Sequence, residues 1–245
     1  MSWFRCADPR PGAPTRLVCL PHAGGSAVFY RTWAKEISPA VEVHAVQYPG
    51  RADRMGDALV TDAGSLAHQI VDAMAPLVDR PVALFGHSMG AVLAYEVARL
   101  LQARGDAPVH LFASGARPPH DRGDDRVHER DDDGVVAELT KLGGTDADAL
   151  RDPELRELVL PYVRNDFALI ETYAHRDGTR LDVPVTTIIG DADPHVNEAQ
   201  AARWAEVTDG PFALTVLPGG HFYLADRRAD VIAEIVRALD VPAVP

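Results

Sequence analysis

The stretch Val82–Gly90, VALFGHSMG, restricts what this chain can fold into more than any other. Pro81 opens a short apolar run, Val82-Ala83-Leu84-Phe85, of the kind an interior strand carries. Ala91, Ala94, Ala98 and Leu101 then recur at helical spacing up to Gly105, a stop signal. Between them Gly86-His87-Ser88-Met89-Gly90 fits G-x-S-x-G, a pattern in which a strand breaks sharply into a helix with the serine at the bend. Backbones approach closely in such a turn, so Gly86 and Gly90 are expected to have no room for a side chain and Ser88 to take an unfavourable φ. So short a pattern recurs by chance; the strand before it and the helix after it set this one apart.

The rest of the chain alternates in the same manner. Arg16–Leu20 reads as a strand and runs into the turn Pro21-His22-Ala23-Gly24-Gly25, while Ser2–Thr15 has no periodicity and is expected to be an irregular leader. Phe29, Tyr30, Trp33 and Ile37 share one helical face, Val41–Gln47 is the next strand, and Asp62–Val78 is a helix with Asp62 as N-cap. Further strands are expected at Val109–Ser114, Val183–Ile189 and Phe212–Leu217, with helices at Asn197–Val207 and through Val231, Ile235 and Leu239. Strand–helix alternation predicts an α/β fold, a mostly parallel central sheet flanked by helices, and the 245 residues fit one domain. The rhythm stops between about 117 and 180, where only two helical patterns occur, Gly134–Leu142 and Pro153 to about Tyr173. Such an insertion between strands is where a helical lid would sit. The acidic run Asp131-Asp132-Asp133 is expected to cap a helix and face solvent.

Charge and cysteine content narrow the function classes. With 24 Lys+Arg against 36 Asp+Glu the chain carries −12, which argues against nucleic acid as a partner. No apolar run approaches a membrane span and the start lacks a signal core, so a soluble cytoplasmic protein is expected. Cys6 and Cys19 offer neither a disulfide framework nor metal-ligand spacing, and no phosphate-binding or H-E-x-x-H motif occurs, so no cofactor or metal is expected.

A serine hydroxyl needs an imidazole to accept its proton, and the imidazole needs a carboxylate to fix its tautomer. In α/β-hydrolases these groups arrive in the order Ser, Asp, His. Ser88 at a strand end, Asp193 in Gly190-Asp191-Ala192-Asp193-Pro194 and His221 in the turn Pro218–Phe222 satisfy that order, each at the carboxyl end of an expected strand. Asp191 competes with Asp193 for the acid, Asp193 being favoured because it lies further along the loop beside Pro194. The backbone N–H groups of Ala23, in a glycine-rich loop, and Met89, at a helix start, are candidate oxyanion donors.

Pro21–Gly25, Tyr48-Pro49-Gly50-Arg51, Gly86–Gly90, Gly190–Pro194 and Gly220-His221-Phe222 together resemble the external, type II thioesterases of polyketide and nonribosomal peptide biosynthesis, from Leu17 to about Leu239. Medium-chain thioesterases of animal fatty acid synthesis share much of the pattern. The resemblance implies an α/β-hydrolase fold with a helical lid, and hydrolysis of acyl groups from the phosphopantetheine arm of acyl or peptidyl carrier proteins, chiefly to clear stalled units. It implies Ser88, Asp193 and His221 as triad and Ala23 and Met89 as oxyanion donors, in a protein expected to be monomeric. Arg51 and Arg117, expected to be exposed near the entrance, are candidates for contacting the arm's phosphate or an acidic carrier; Arg51 could equally brace its own loop. The alternatives are a carboxylesterase or lipase acting on oxygen esters, and a hydrolase-fold binding protein without catalysis.

Overall fold

The computed structural model describes residues 2–121, 123–143, 150, 152–176, 178 and 180–242. One seven-stranded sheet runs through it, built from β1 (Phe4–Arg5), β2 (Thr15–Leu20), β3 (Val41–Val46), β4 (Val82–His87), β5 (His110–Ser114), β6 (Val185–Gly190) and β7 (Phe212–Leu217), in the order β1-β3-β2-β4-β5-β6-β7. β1 is antiparallel to β3 and the remaining pairings are parallel. The helices are α1 (Trp33–Glu36), α2 (Ala63–Ala73), α3 (Met89–Arg104), α4 (Asp132–Leu142), α5 (Pro153–Glu171), α6 (Glu198–Ala202), α7 (Tyr223–Asp226) and α8 (Arg228–Ala238).

Strand periodicity explains the two-sided core. Successive side chains of a strand point to opposite faces, so Leu17 and Cys19 of β2 join Trp33 and Ile235 on one face, while Val18 and Leu20 join Leu66 and Ala94 on the other. Ala83 and Phe85 against Val82 and Leu84 of β4 divide the same way. Each large side chain buried in this manner contributes about 1.5–3 kcal/mol relative to exposure. The chain runs from β2 towards one edge of the sheet and from β4 towards the other, which opens a crevice at the carboxyl ends of these neighbours.

Local signals set the helix ends. Asp62 caps α2 by accepting the Ser65 N–H at 2.7 Å, and Gly105 ends α3 at φ +87°. Asp131 caps α4 through the Gly134 N–H at 2.8 Å, while Asp132 and Asp133 pair with Arg164 and Arg156 of α5, both at 2.6 Å. The acidic run therefore does more than cap, because it also ties the two helices together. Both lie between β5 and β6, where the insertion is expected, around a small apolar cluster that includes Val135, Leu139, Leu160 and Phe167. Residues 122, 144–149, 151, 177 and 179 of the expected insertion lie outside the described residues.

Three expectations need correction. The leader contains β1, whose Phe4 and Arg5 pair with Val46 and Ala45 of β3. The face from Phe29 to Ile37 is a 3₁₀ turn, Ala27–Tyr30, followed by the single-turn α1. Asn197–Val207 likewise divides into α6, with a capping box between Asn197 and Gln200, and a 3₁₀ segment, Arg203–Val207. Among the described residues no helix is long and apolar enough to cross a membrane.

Candidate active site

The bend after β4 has the geometry its glycines predict. Ser88 sits at φ +54° and ψ −119°, a strained region for a residue with a side chain, between the end of β4 and the first residue of α3. A Cβ on Gly86 would overlap the Gly90 backbone, and one on Gly90 the Leu20 and Pro21 carbonyls. The turn thus presses α3 against the loop that follows β2. Ser88 N–H is tied to the Ser114 carbonyl of the neighbouring strand at 2.8 Å.

The loops after β6 and β7 bring the carboxylate and the imidazole together. Asp193 Oδ2 lies 2.9 Å from His221 Nδ1, and its Oδ1 accepts the His195 N–H at 2.9 Å. Both side chains of the pair are almost fully buried, at 0% and 3% exposure. Asp191, the competing acid, is exposed and accepts the Gly219 N–H at 2.9 Å. With Nδ1 donating to Asp193, the other ring nitrogen of His221 is left as an acceptor.

Ser88, Met89 and His221 line a cavity of about 170 Å³ whose apolar wall includes Val92, Phe167 and Ile170. A narrower recess of about 20 Å³ joins Ala23, Ser88, His221 and Phe222. All five residues singled out in the sequence therefore border one site, with Asp193 reaching it through His221. Serine, a tautomer-fixed imidazole and a helix N-terminus beside an apolar cavity form an arrangement suited to acyl transfer.

Sequence reasoning did not find the shell behind His221. The His87 ring centroid is 5.0 Å from that of His221, His195 is 5.3 Å from it, and His22 is 5.9 Å from His87. Burial, with smaller contributions from His221 and Arg51, takes the His22 pKa down to about 3. Burial and then His221 also lower His87 and His195, against the opposing pull of Asp193, Asp125 and Glu138 on the latter. These three rings stay neutral at pH 7, so none adds a positive charge opposing protonation of His221.

Hydrogen-bond bookkeeping fixes the His87 tautomer. Tyr223 Oη donates its one proton to the Ile188 carbonyl at 2.8 Å and lies 2.6 Å from Ser114 Oγ, so Ser114 donates to Tyr223. His87 Nδ1, 2.8 Å from Ser114 Oγ, is then the donor in that contact. Ser114, Ile188 and Tyr223 are distant in sequence from His87, and no local signal marks this chain of bonds.

The two arginines differ from their expected placement. Arg51 is 2% exposed rather than at an entrance, and its guanidinium forks onto Asp166 of α5 at 2.5 and 2.7 Å. The alternative reading has it brace its own loop; its guanidinium instead ties the loop after β2, through the Gly25 carbonyl at 3.1 Å, to α5. Arg117 is half-buried on the cavity wall, where Nε donates to the His195 carbonyl at 2.8 Å. Away from the site, Cys6, Glu42 and His44 bring three ligand types within 4.8 Å of one another. Burial works to raise the Glu42 pKa, but hydrogen bonds from His44, the Arg10 amide and Arg16 outweigh it and hold the carboxyl at about 2. Both of its oxygens already accept donors, from the Arg10 amide on one and from Arg16 and His44 on the other.

Residues 15–239 match the thioesterase domain family. The chain is 45% identical to a probable cadicidin biosynthesis thioesterase of Streptomyces griseus over 97% of its own length and 66% of the relative's, just under two thirds. It is 43% identical to the thioesterase PikA5 of Streptomyces venezuelae over 95% of its length and 84% of the relative's. The solved structure of the type II thioesterase BorB from the borrelidin biosynthetic cluster superposes with a TM-score of 0.89 at 42% identity, covering 97% of each chain.

Proposed function

The chain belongs to the thioesterase family, and we propose that it hydrolyses acyl thioesters carried on the phosphopantetheine arm of acyl or peptidyl carrier proteins, with Ser88, His221 and Asp193 as its triad. The relatives from antibiotic clusters support an editing role, the release of aberrant or stalled units from a polyketide or nonribosomal peptide assembly. The observation that carries the triad is the 2.9 Å contact between Asp193 and His221, with His221 and Ser88 on the wall of one cavity.

The steps follow from this placement. His221 takes the Ser88 proton as Oγ attacks the thioester carbonyl; the oxyanion is held by the N–H groups of Ala23 and Met89, the latter at the positive end of α3. The tetrahedral adduct collapses as its C–S bond breaks, and the proton on His221 passes to the departing sulfur, which leaves as the pantetheine thiol. A thiol pKa of about 8.5 makes it a good leaving group, so His221 has little protonation work to do. Water, deprotonated by His221, then cleaves the acyl-Ser88 ester and regenerates the hydroxyl. The apolar wall of Val92, Phe167 and Ile170 suits an acyl chain, and the helices between β5 and β6 act as its lid.

The test is a hydrolysis panel on one carrier protein with varied acyl groups, repeated with the matching pantetheine oxygen esters. Faster turnover of thioester than of oxygen ester, abolished in Ser88→Ala, supports the reading; preference for the oxygen ester would make the protein a carboxylesterase instead.

A further inference from the structure

The loop between β2 and α1 carries Ala23, and four residues outside it, Tyr48, Arg51, Gly90 and Asp166, fix its position. The Pro21 carbonyl accepts the Tyr48 Oη–H at 3.1 Å, and Gly90 of α3 closes on the Leu20 and Pro21 carbonyls from the other side. Beyond Ala23, the Gly25 carbonyl accepts Arg51 Nη1 at 3.1 Å, and the Gly24 N–H donates to Asp166 Oδ2 at 2.8 Å. The partners of that last bond are separated by 142 positions, and Asp166 belongs to α5 in the helical insertion.

Asp166 is a demanding choice for this contact. A carboxylate 3% exposed is costly unless paired, and Arg51, equally buried, supplies both charge and a two-pronged fork. The guanidinium is itself held between the rings of Tyr48 and Tyr162, at 5.3 and 4.6 Å. A helix seated only by apolar packing would need none of this. Val163, one turn before Phe167, faces Gly24 from the same helix, and Phe167 and Ile170 line the cavity beside Ser88.

We infer that Asp166, held in place by Arg51, is a positioning residue for the oxyanion hole: it pins the Gly24 amide, aims the adjoining Ala23 N–H, and makes the hole complete only while α5 is seated. The inference rests on the assignment of Ala23 as an oxyanion donor. An oxyanion donor acts through alignment with a charge that appears only in the transition state, so releasing its loop lowers kcat and leaves substrate binding largely intact. Lid helix and catalytic loop then move as one unit.

The experiment compares Asp166→Leu, which removes the acceptor at nearly constant volume, and the double variant Arg51→Met/Asp166→Leu with wild type on an acyl-carrier thioester. Each is also assayed for affinity towards an acyl trifluoromethyl ketone, whose adduct with Ser88 places an oxyanion in the hole. The double variant removes both charges together and leaves no lone buried ion, which keeps a folded protein available. In Asp166→Leu, kcat and ketone affinity are expected to fall together by about 10- to 100-fold with KM changed by less than about threefold. A purely structural role would lower the melting temperature and leave the ketone affinity of the folded fraction unchanged. Any folded variant that retains kcat and ketone affinity within about threefold overturns the inference. Amide hydrogen exchange on the wild type checks it independently: Gly24 N–H is expected to exchange as slowly as the core amides of α5, and exchange at the rate of exposed loop amides overturns it. Failure of a fluorophosphonate to label wild-type Ser88 would instead remove the underlying catalytic assignment.

Discussion

Asp193 and His221 meet at 2.9 Å across 28 positions of sequence, and the aspartate's second oxygen is held by the His195 amide, so the carboxylate cannot rotate away without losing a second bond. Asn at position 193 could still accept from His195, but its NH₂ would face His221 Nδ1 and drive the ring to the tautomer whose other nitrogen cannot take the Ser88 proton. The expected loss in kcat is on the order of 10⁴-fold, by analogy with triads in which the same change preserves geometry. Asp191→Asn should cost less than about threefold, because that exposed carboxylate only accepts a loop amide. Steady-state rates on one acyl thioester decide between them; equal losses would break the assignment of the acid.

The elbow should tolerate no added methyl group. Gly90→Ala would drive a Cβ into the carbonyls of Leu20 and Pro21, atoms of backbone that cannot swing aside. We expect destabilisation of about 3 kcal/mol or more, at the upper end for single substitutions, read as a fall in the urea midpoint. The same change at Gly105, whose Cβ would meet open space but whose φ is +87°, should cost only about 1 kcal/mol. A Gly90→Ala protein as stable as wild type would mean that α3 and the β2 loop are not packed as described.

Mild acid should destabilise the protein before its carboxylates titrate. Burial is the main cause that takes His22 down to about 3 and His110 to about 4, and it holds His87 well below its usual range. In the unfolded chain each regains a pKa near 6.5 and binds a proton that the native state refuses. Their contribution is therefore fully present above pH 6.5 and is lost as pH falls from there towards 4. Each ring costs about 1.4 kcal/mol per pH unit in that window, so the three together should lower stability by about 4 kcal/mol between pH 7.5 and 5.5. Urea unfolding at the two pH values measures it, and a difference below about 1 kcal/mol would show that these rings do accept protons in the folded state.

What could be seen in the sequence was what repeats locally. β7 runs over the expected Phe212–Leu217, Asp62 caps α2, and Gly105 ends α3, because alternation, an N-cap oxygen and a left-handed C-terminal residue act over a few positions. The proposed triad is legible for a related reason: its members follow strand ends, and chain order limits the choices. β1 was not, since Phe4 and Arg5 form too short a run to show a period and owe their conformation to β3. Arg51 was placed at an entrance because its partner, Asp166, lies 115 positions away on a helix whose docking no local pattern specifies. The His87–Ser114–Tyr223 chain of bonds escaped for the same cause, its contacts spanning 27 and 109 positions.

The wall of the cavity makes acyl-chain preference a test of where the substrate lies. Val92, 7% exposed on α3, faces the cavity together with Phe167 and Ile170 of α5. Each methylene transferred from water to such a wall is worth about 0.8 kcal/mol, so kcat/KM should rise about fourfold per CH₂ until the cavity is filled, then level off or fall. Val92→Phe adds bulk where the chain would lie and should move that limit to a shorter acyl group, while the rate on acetyl stays within about threefold of wild type because Ser88, His221 and Asp193 are untouched. Phe167→Ala should move it the other way, at some loss of stability from the space left in the small apolar cluster of the insertion. A series of saturated acyl groups on one carrier protein gives the three profiles. If both substitutions leave the chain-length optimum where it was, the acyl group does not occupy this cavity and must leave Ser88 by another path.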